Sequence, residues 1–328
     1  MNEHIQDIQN QNKGIDEFEF KRRELWEKRI SIEKEFHLGE GDEFKQFNWI
    51  GTFRTKGISL FLKCVGLYKR GQMNASKIKL NKVKFVYPDI PKELHGFKIL
   101  FISDFHLSQH FLSWLISGKS VIQQIKIPVD LILLGGDYRF GYFGSEDFVI
   151  PLIKEMLMGI ETKYGIYGVM GNHDISSIRE KFEESNIHIL VNEGIEINHN
   201  GAKLWLGGVD VYHGFECADV ASALVHAPKD AFKIMLSHSP ELIEESLLWD
   251  VQLYLCGHTH GGQIGLPFIG PIYVNAKCKR KFAQGKWEYR SMQGYTSTGL
   301  GVTDVPVRFN AEAEVVILDI VKIPFSLK

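Results

Sequence analysis

Apolar and polar positions change their pattern twice along the chain. Over residues 1–45 Glu, Lys and Arg dominate, with thinly spaced apolar side chains such as Phe18, Leu25, Trp26, Ile30 and Ile32. That stretch reads as a solvated, partly disordered helical segment. Between residues 46 and 84 bulky apolar residues interleave with nine basic ones and no acidic one. At 100° per residue, Ile58, Phe61, Leu62, Val65 and Tyr68 share one face, while Thr52, Lys56, Ser59, Lys63 and Arg70 lie opposite. Gly51, Gly57 and Gly66 argue against one long regular helix.

From about residue 78 strands and helices alternate. Strands are predicted at 83–87, 97–102, 131–134 and 164–170, and helices at 113–125, 146–159 and 175–185. The run 97–102 is apolar almost throughout, as in a strand buried on both faces. Asn200-Gly201 between two apolar stretches predicts a hairpin. Later strands fall at 232–236, 251–256, 289–297 and 313–318. The pattern predicts an α/β layered sandwich over residues 78–328, preceded by a helical extension at 1–77.

Composition narrows the function classes. A formal net charge of -2 argues against a whole-molecule nucleic-acid field. No stretch reaches 18 apolar residues, and residues 1–6 lack the basic and apolar regions of a secretory signal. The four cysteines form no CxxC pair, which excludes a zinc ribbon and favours a reducing compartment. The chain is expected in the cytosol, at most touching a membrane surface.

Five short segments carry the chemistry, each after an apolar run: Asp104-Phe105-His106, Gly135-Gly136-Asp137, Gly171-Asn172-His173-Asp174, Ser237-His238 and Gly257-His258-Thr259-His260. They fall at the carboxyl ends of predicted strands, the edge where α/β sheets gather ligands. Mixed imidazole and carboxylate donors suit Mn, Fe or Zn, and the count is enough for two ions. His110, His188, His199, His213 and His226 have no such context and read as structural.

The ordered set resembles the calcineurin-like metallophosphoesterase signature over roughly residues 80–320. The resemblance implies a four-layer α-β-β-α sandwich and two divalent cations, most simply Mn²⁺. One ion would be held by Asp104, His106, Asp137 and His260, the other by Asp137, Asn172, His238 and His258, with Asp137 common to both. Such a pair, about 3.5–4 Å apart, polarises phosphate oxygens and lowers the pKa of water. His173 would sit over the phosphate, stabilising charge or protonating the leaving oxygen. Asp174 would support that loop, and Arg139 would contact phosphate or lie on the surface. Many relatives have an Asp three residues after the shared one that orients the histidine; here that position is Phe140.

The segments at 97–101, 130–138, 256–264 and 266–271 further resemble a bacterial subgroup that includes a UDP-2,3-diacylglucosamine pyrophosphatase of lipid A biosynthesis. That implies a lipid-linked nucleotide substrate at the cytoplasmic face of the inner membrane. The basic, aromatic block then predicts contact with an anionic leaflet through Trp49, Phe53, Phe61, Lys63 and Arg70, and residues 110–116 offer a second apolar slot. The alternatives are a phosphodiesterase or phosphatase acting on soluble or cell-envelope phosphoesters and, further off, a non-catalytic scaffold or a nuclease.

Overall fold

The computed structural model describes residues 2–38, 42–108, 112–141, 147–267 and 269–323, with the side chains of 2–16, 36–38, 42–52 and 112–116 outside that description. In chain order the elements are α1 (Asn2–Leu38), α2 (Asp42–Cys64), α3 (Tyr68–Ala75), β1 (Ile78–Tyr87), β2 (Phe97–Ile102), α4 (Leu112–Ile122), β3 (Leu131–Leu134), α5 (Val149–Leu157), β4 (Ile166–Gly168), α6 (Ile178–Glu183) and β5 (Ile187–Ile189). There follow β6 (Glu193–His199), β7 (Ala202–Gly208), α7 (Val220–Leu224), β8 (Phe232–Leu236), α8 (Ile243–Leu247), β9 (Leu253–Cys256), β10 (Gly265–Leu266), β11 (Gly270–Pro271), β12 (Gly285–Tyr289), β13 (Met292–Thr296) and β14 (Ala313–Lys322).

One six-stranded sheet runs β1-β14-β2-β3-β4-β5, and a second runs β12-β13-β9-β8-β7-β6. Side-chain alternation assigns each residue its layer. In β2, Phe97, Ile99 and Phe101 enter the core between the sheets, against Leu204, Leu206, Ile234, Leu236, Leu253 and Leu255. The other parity, Leu100 and Ile102, packs with Ile122, Ile153 and Phe182 of α4, α5 and α6. Beyond the second sheet, Met235, Tyr254 and Cys256 meet Val220 and Leu224 of α7 and Ile243 of α8. The four layers are helix, sheet, sheet, helix, as the sequence predicts.

The N-terminal helices differ from the expectation. Far from being solvated throughout, α1 buries Arg29 and Glu33, and Trp26 and Ile32 pack on the core beneath the first sheet. In α2 the single apolar face divides. Leu62 is buried with Val305 and Val307, and Ile58 and Tyr68 pack beside it, whereas Phe61 and Val65 are 64% and 48% exposed. Phe61 stands about 100° round the helix from Leu62, and the Leu62 side is the one that meets Val305 and Val307. The helix ends at Cys64, and Gly66, at φ +73°, lies in the turn into α3. Arg70 and Lys63 are exposed, and Lys63 lies over the Tyr68 ring at 5.0 Å. The side chains of Trp49 and of residues 110–116 lie outside the described residues.

Candidate metal centre

The strand ends β2, β3 and β4 of one sheet and β8 and β9 of the other deliver all five segments to one place. Asp137 Oδ2 stands 3.5 Å from His106 Nε2 and 3.2 Å from His238 Nε2. On one side, His260 Nε2 lies 3.0 Å from His106 Nε2 and 3.4 Å from Asp104 Oδ1. On the other, His238 Nε2 lies 3.2 Å from both Asn172 Oδ1 and His258 Nδ1. The structure thus brings together every residue expected in the two ligand sets, with one Asp137 oxygen between them.

Ring orientation is fixed from outside. His238 Nδ1–H donates to the Gly135 carbonyl at 2.7 Å, and His258 Nε2–H donates to the Asn275 carbonyl at 2.6 Å. The opposite nitrogens, Nε2 of His238 and Nδ1 of His258, are thereby turned toward the site. Burial holds His106 down to about 3 and His258 and His260 well below the usual imidazole range. Burial opposes charge on His238 too, but Asp137, Asp104 and the Gly135 carbonyl outweigh it and carry the ring up to about 10. Burial likewise acts against charge on Asp137, yet His238, His173 and His106 hold its carboxyl well below the usual range. Burial and neighbouring Asp137 raise Asp104 to about 6. The neutral rings of His106, His258 and His260, His238 once it gives up its proton, and the carboxylates of Asp104 and Asp137, all buried, fit divalent cations between them. Three overlapping clusters, Asp104-His106-His260, His106-Asp137-His173 and Asp137-His238-His258, have donor atoms within 4.8 Å of one another.

The backbone is bent to make this possible. Asp104, His106, Asp137, His258 and His260 all have φ between +44° and +68°, a left-handed conformation costing about 1–3 kcal/mol per residue outside glycine. A Cβ at Gly171 would sit 2.1 Å from Asp137 Oδ1, and one at Gly257 would sit 2.1 Å from Asp104 Oδ2. These glycines are there for close approach.

His173 is half-buried at the mouth, its ring centroid 4.9 Å from that of His106. Its amide donates to Asp137 Oδ1 at 2.8 Å. The Asp174 carboxylate accepts from the amides of Asp137, Tyr138 and Gly171, each at 2.8 Å, so it ties the two loops together. Arg139 is only 2% exposed, away from the surface. Burial lowers the His173 pKa, and the charges of His238 and Arg139 act in the same direction. Phe140 packs edge-on to His106 at 6.2 Å.

Sequence reasoning missed several neighbours. The His213 ring lies tilted against that of His258, centroids 4.2 Å apart, and bonds Glu241 at 3.0 Å. Fully buried Arg308 binds the carbonyls of Thr298 and Ala311 at 2.7 and 3.0 Å and lies 3.3 Å from His260 Nδ1. Arg29 and Glu33 of α1 reach the 171–176 loop. None of these has a motif; each is recognisable only from what it touches.

A four-layer sandwich whose strand ends gather candidate metal ligands around one carboxylate is the architecture of a metal-dependent phosphoester hydrolase. The family profile described as calcineurin-like phosphoesterase matches residues 97–262, just over half of the chain, and the chain belongs to that family. An uncharacterized metallophosphoesterase of Bacillus subtilis, YkuE, is 30% identical over 240 residues, covering 70% of this chain and 80% of its own. The phosphodiesterase YaeI of Escherichia coli is 30% identical over 234 residues, 69% of this chain and 82% of its own. Among solved structures, the NAD nucleotidase of Haemophilus influenzae has TM-score 0.41 and 14% identity, over 62% of this chain and 45% of that one, too slight a likeness to bear on function. Members of the family typically hold two divalent metals. Among the described residues no helix is long and apolar enough to cross a membrane.

Proposed function

We propose that the chain cleaves the pyrophosphate of a lipid-linked nucleotide at an anionic membrane surface, with UDP-2,3-diacylglucosamine as the best-fitting substrate and UMP and 2,3-diacylglucosamine 1-phosphate as products. The observation that supports a lipid substrate is the α2 face beside the site. Phe53, Leu60 and Phe61 are each more than 60% exposed, on the helix that carries exposed Lys56 and Lys63, with exposed Lys69 and Arg70 following on α3. Arg54 links this helix to the rim. It pairs with Asp304 at 2.7 Å, whose charge acts on His173, and lies 5.4 Å over the Tyr273 ring. Tyr273 in turn bonds Asn275, the residue whose carbonyl orients His258. A basic helix with exposed aromatics suits an anionic interface, where each cation contributes about 1 kcal/mol.

In this reading Asp104, His106, Asp137 and His260 hold one divalent cation and Asp137, Asn172, His238 and His258 the other, with Mn²⁺ the simplest choice. The bound ions supply charge stabilisation at the phosphorus and a nucleophile at neutral pH. His173, at the mouth, delivers a proton or positive charge to the leaving oxygen, and Asp137 Oδ1 fixes its backbone. The test is a substrate panel on the full chain with Mn²⁺: UDP-2,3-diacylglucosamine in anionic micelles, bis-p-nitrophenyl phosphate and simple monoesters. We expect preference for the lipid substrate, and Phe53→Ser with Phe61→Ser should reduce that activity about tenfold while sparing bis-p-nitrophenyl phosphate. Equal loss on both substrates, or a preference for soluble diesters, would assign the chain to general phosphodiester hydrolysis instead.

A further inference from the structure

The α1 helix enters the fold through two buried charges that grip the loop carrying Asn172 and His173. Arg29 is fully buried. Its Nη2–H groups donate to the Asp174 carbonyl at 2.7 Å and the Gly171 carbonyl at 3.4 Å. Its Nε–H donates to Glu33 at 2.7 Å, its Nη1–H to Asp210, and its guanidinium lies 5.0 Å over the Phe215 ring. Glu33, one helical turn on, accepts from the Ser176 amide at 2.9 Å with both oxygens and from the Ser176 hydroxyl at 2.6 Å. The segment 171–176 is therefore held at residues 171, 174 and 176, and Asn172 and His173 lie inside that bracket.

Other contacts of α1 are made elsewhere. Arg22 bonds Glu193 at 2.6 Å and Lys21 pairs with Asp219 at 3.0 Å, neither partner being within residues 171–176. A planar guanidinium satisfying two carbonyls and two carboxylates fixes orientation as a lysine cannot. An ion pair buried merely for stability would be a poor device, since burial costs both charges their solvation. Here the pair also fixes main-chain atoms on either side of two site residues.

We propose that Arg29 and Glu33 are positioning residues of the phosphoesterase site, setting the 171–176 loop so that Asn172 reaches the shared metal site and His173 its mouth. The N-terminal helix is then part of the hydrolytic apparatus. The inference rests on the metal-dependent hydrolase reading but does not depend on the lipid substrate.

The experiment compares full-length Glu33→Ala, Glu33→Gln, Arg29→Lys and, as a control on helix docking, Arg22→Ala. Three readouts are taken: turnover of bis-p-nitrophenyl phosphate with Mn²⁺, calorimetric Mn²⁺ binding, and amide exchange of the ion-free protein. For Glu33→Ala and Arg29→Lys we expect kcat about 10- to 100-fold lower, the loss typical of partners behind metal ligands, with KM nearly unchanged. Affinity for one of two Mn²⁺ ions should fall, and exchange should quicken across residues 171–177 but not in β8 or β9. Glu33→Gln, which keeps an acceptor for Ser176, should recover part of kcat, and Arg22→Ala should behave as wild type. Wild-type kcat and exchange in Glu33→Ala, or an equal loss in Arg22→Ala, would overturn the proposal. Wild-type protein inactive on every phosphodiester would refute the hydrolase reading, and exchange and Mn²⁺ binding would still decide the loop's dependence on α1.

Discussion

At the scale of residues, the ion-free site is a set of opposed charges that a cation must rearrange. His238, carried up to about 10, keeps its proton at neutral pH between Asp137 and Asp104. As a group raised above its unfolded value, it stabilises the ion-free fold fully below about pH 6.5, and that contribution is lost as pH rises through about 10. A metal needs the neutral ring, so Mn²⁺ uptake at pH 8 should release about one proton. Affinity should weaken as pH falls, more steeply once Asp104 takes up a proton near 6. Titration calorimetry in buffers of contrasting ionisation heat measures this; zero proton release at pH 8 would contradict the assigned protonation. The candidate ligands were legible in the sequence because each segment follows its own apolar strand, with a glycine beside Asp137, Asn172 and His258. Arg29 was not, because apart from Glu33 its partners are two carbonyls and a carboxylate more than 140 residues away, and a hydrophobic pattern records no such contact.

At the scale of elements, strands buried on both faces announced themselves: 97–102, 131–134 and 232–236 are found where predicted. The stretch expected as one strand at 289–297 contains β13, while Tyr289 at its start closes a further strand, β12, joined to β13 by a turn through Arg290 at φ +55°. No Gly or Asn marks that turn, so its signal was lacking. The Asn200-Gly201 hairpin, with φ of +56° and +96°, carries the expected signal and forms. Loop geometry at strand ends is where the fold is least tolerant. Gly171→Ala places a methyl against Asp137 and should lower kcat about 100-fold, the scale of a 1 Å misplacement at a reacting centre, with far-UV circular dichroism unchanged. Retained activity would show that the loop can yield.

At the scale of the whole molecule, two sheets from distant parts of the chain meet so that their strand ends face one site, and α1 and α2 reach that site's flanks. The layered architecture was legible from alternation. The docking of α1 was not, since the side chains it buries most deeply are the charged Arg29 and Glu33, and the division of the α2 face came from its Leu62 side meeting Val305 and Val307. The central claim is that Asp137 holds two ions at once. Anomalous diffraction at the manganese edge from crystals grown with Mn²⁺ tests it most directly. Two peaks about 3.5–4 Å apart, one beside His106 and His260 and the other beside His238 and His258, with Asp137 touching both, are expected. A single peak, or two that Asp137 does not join, would contradict the account.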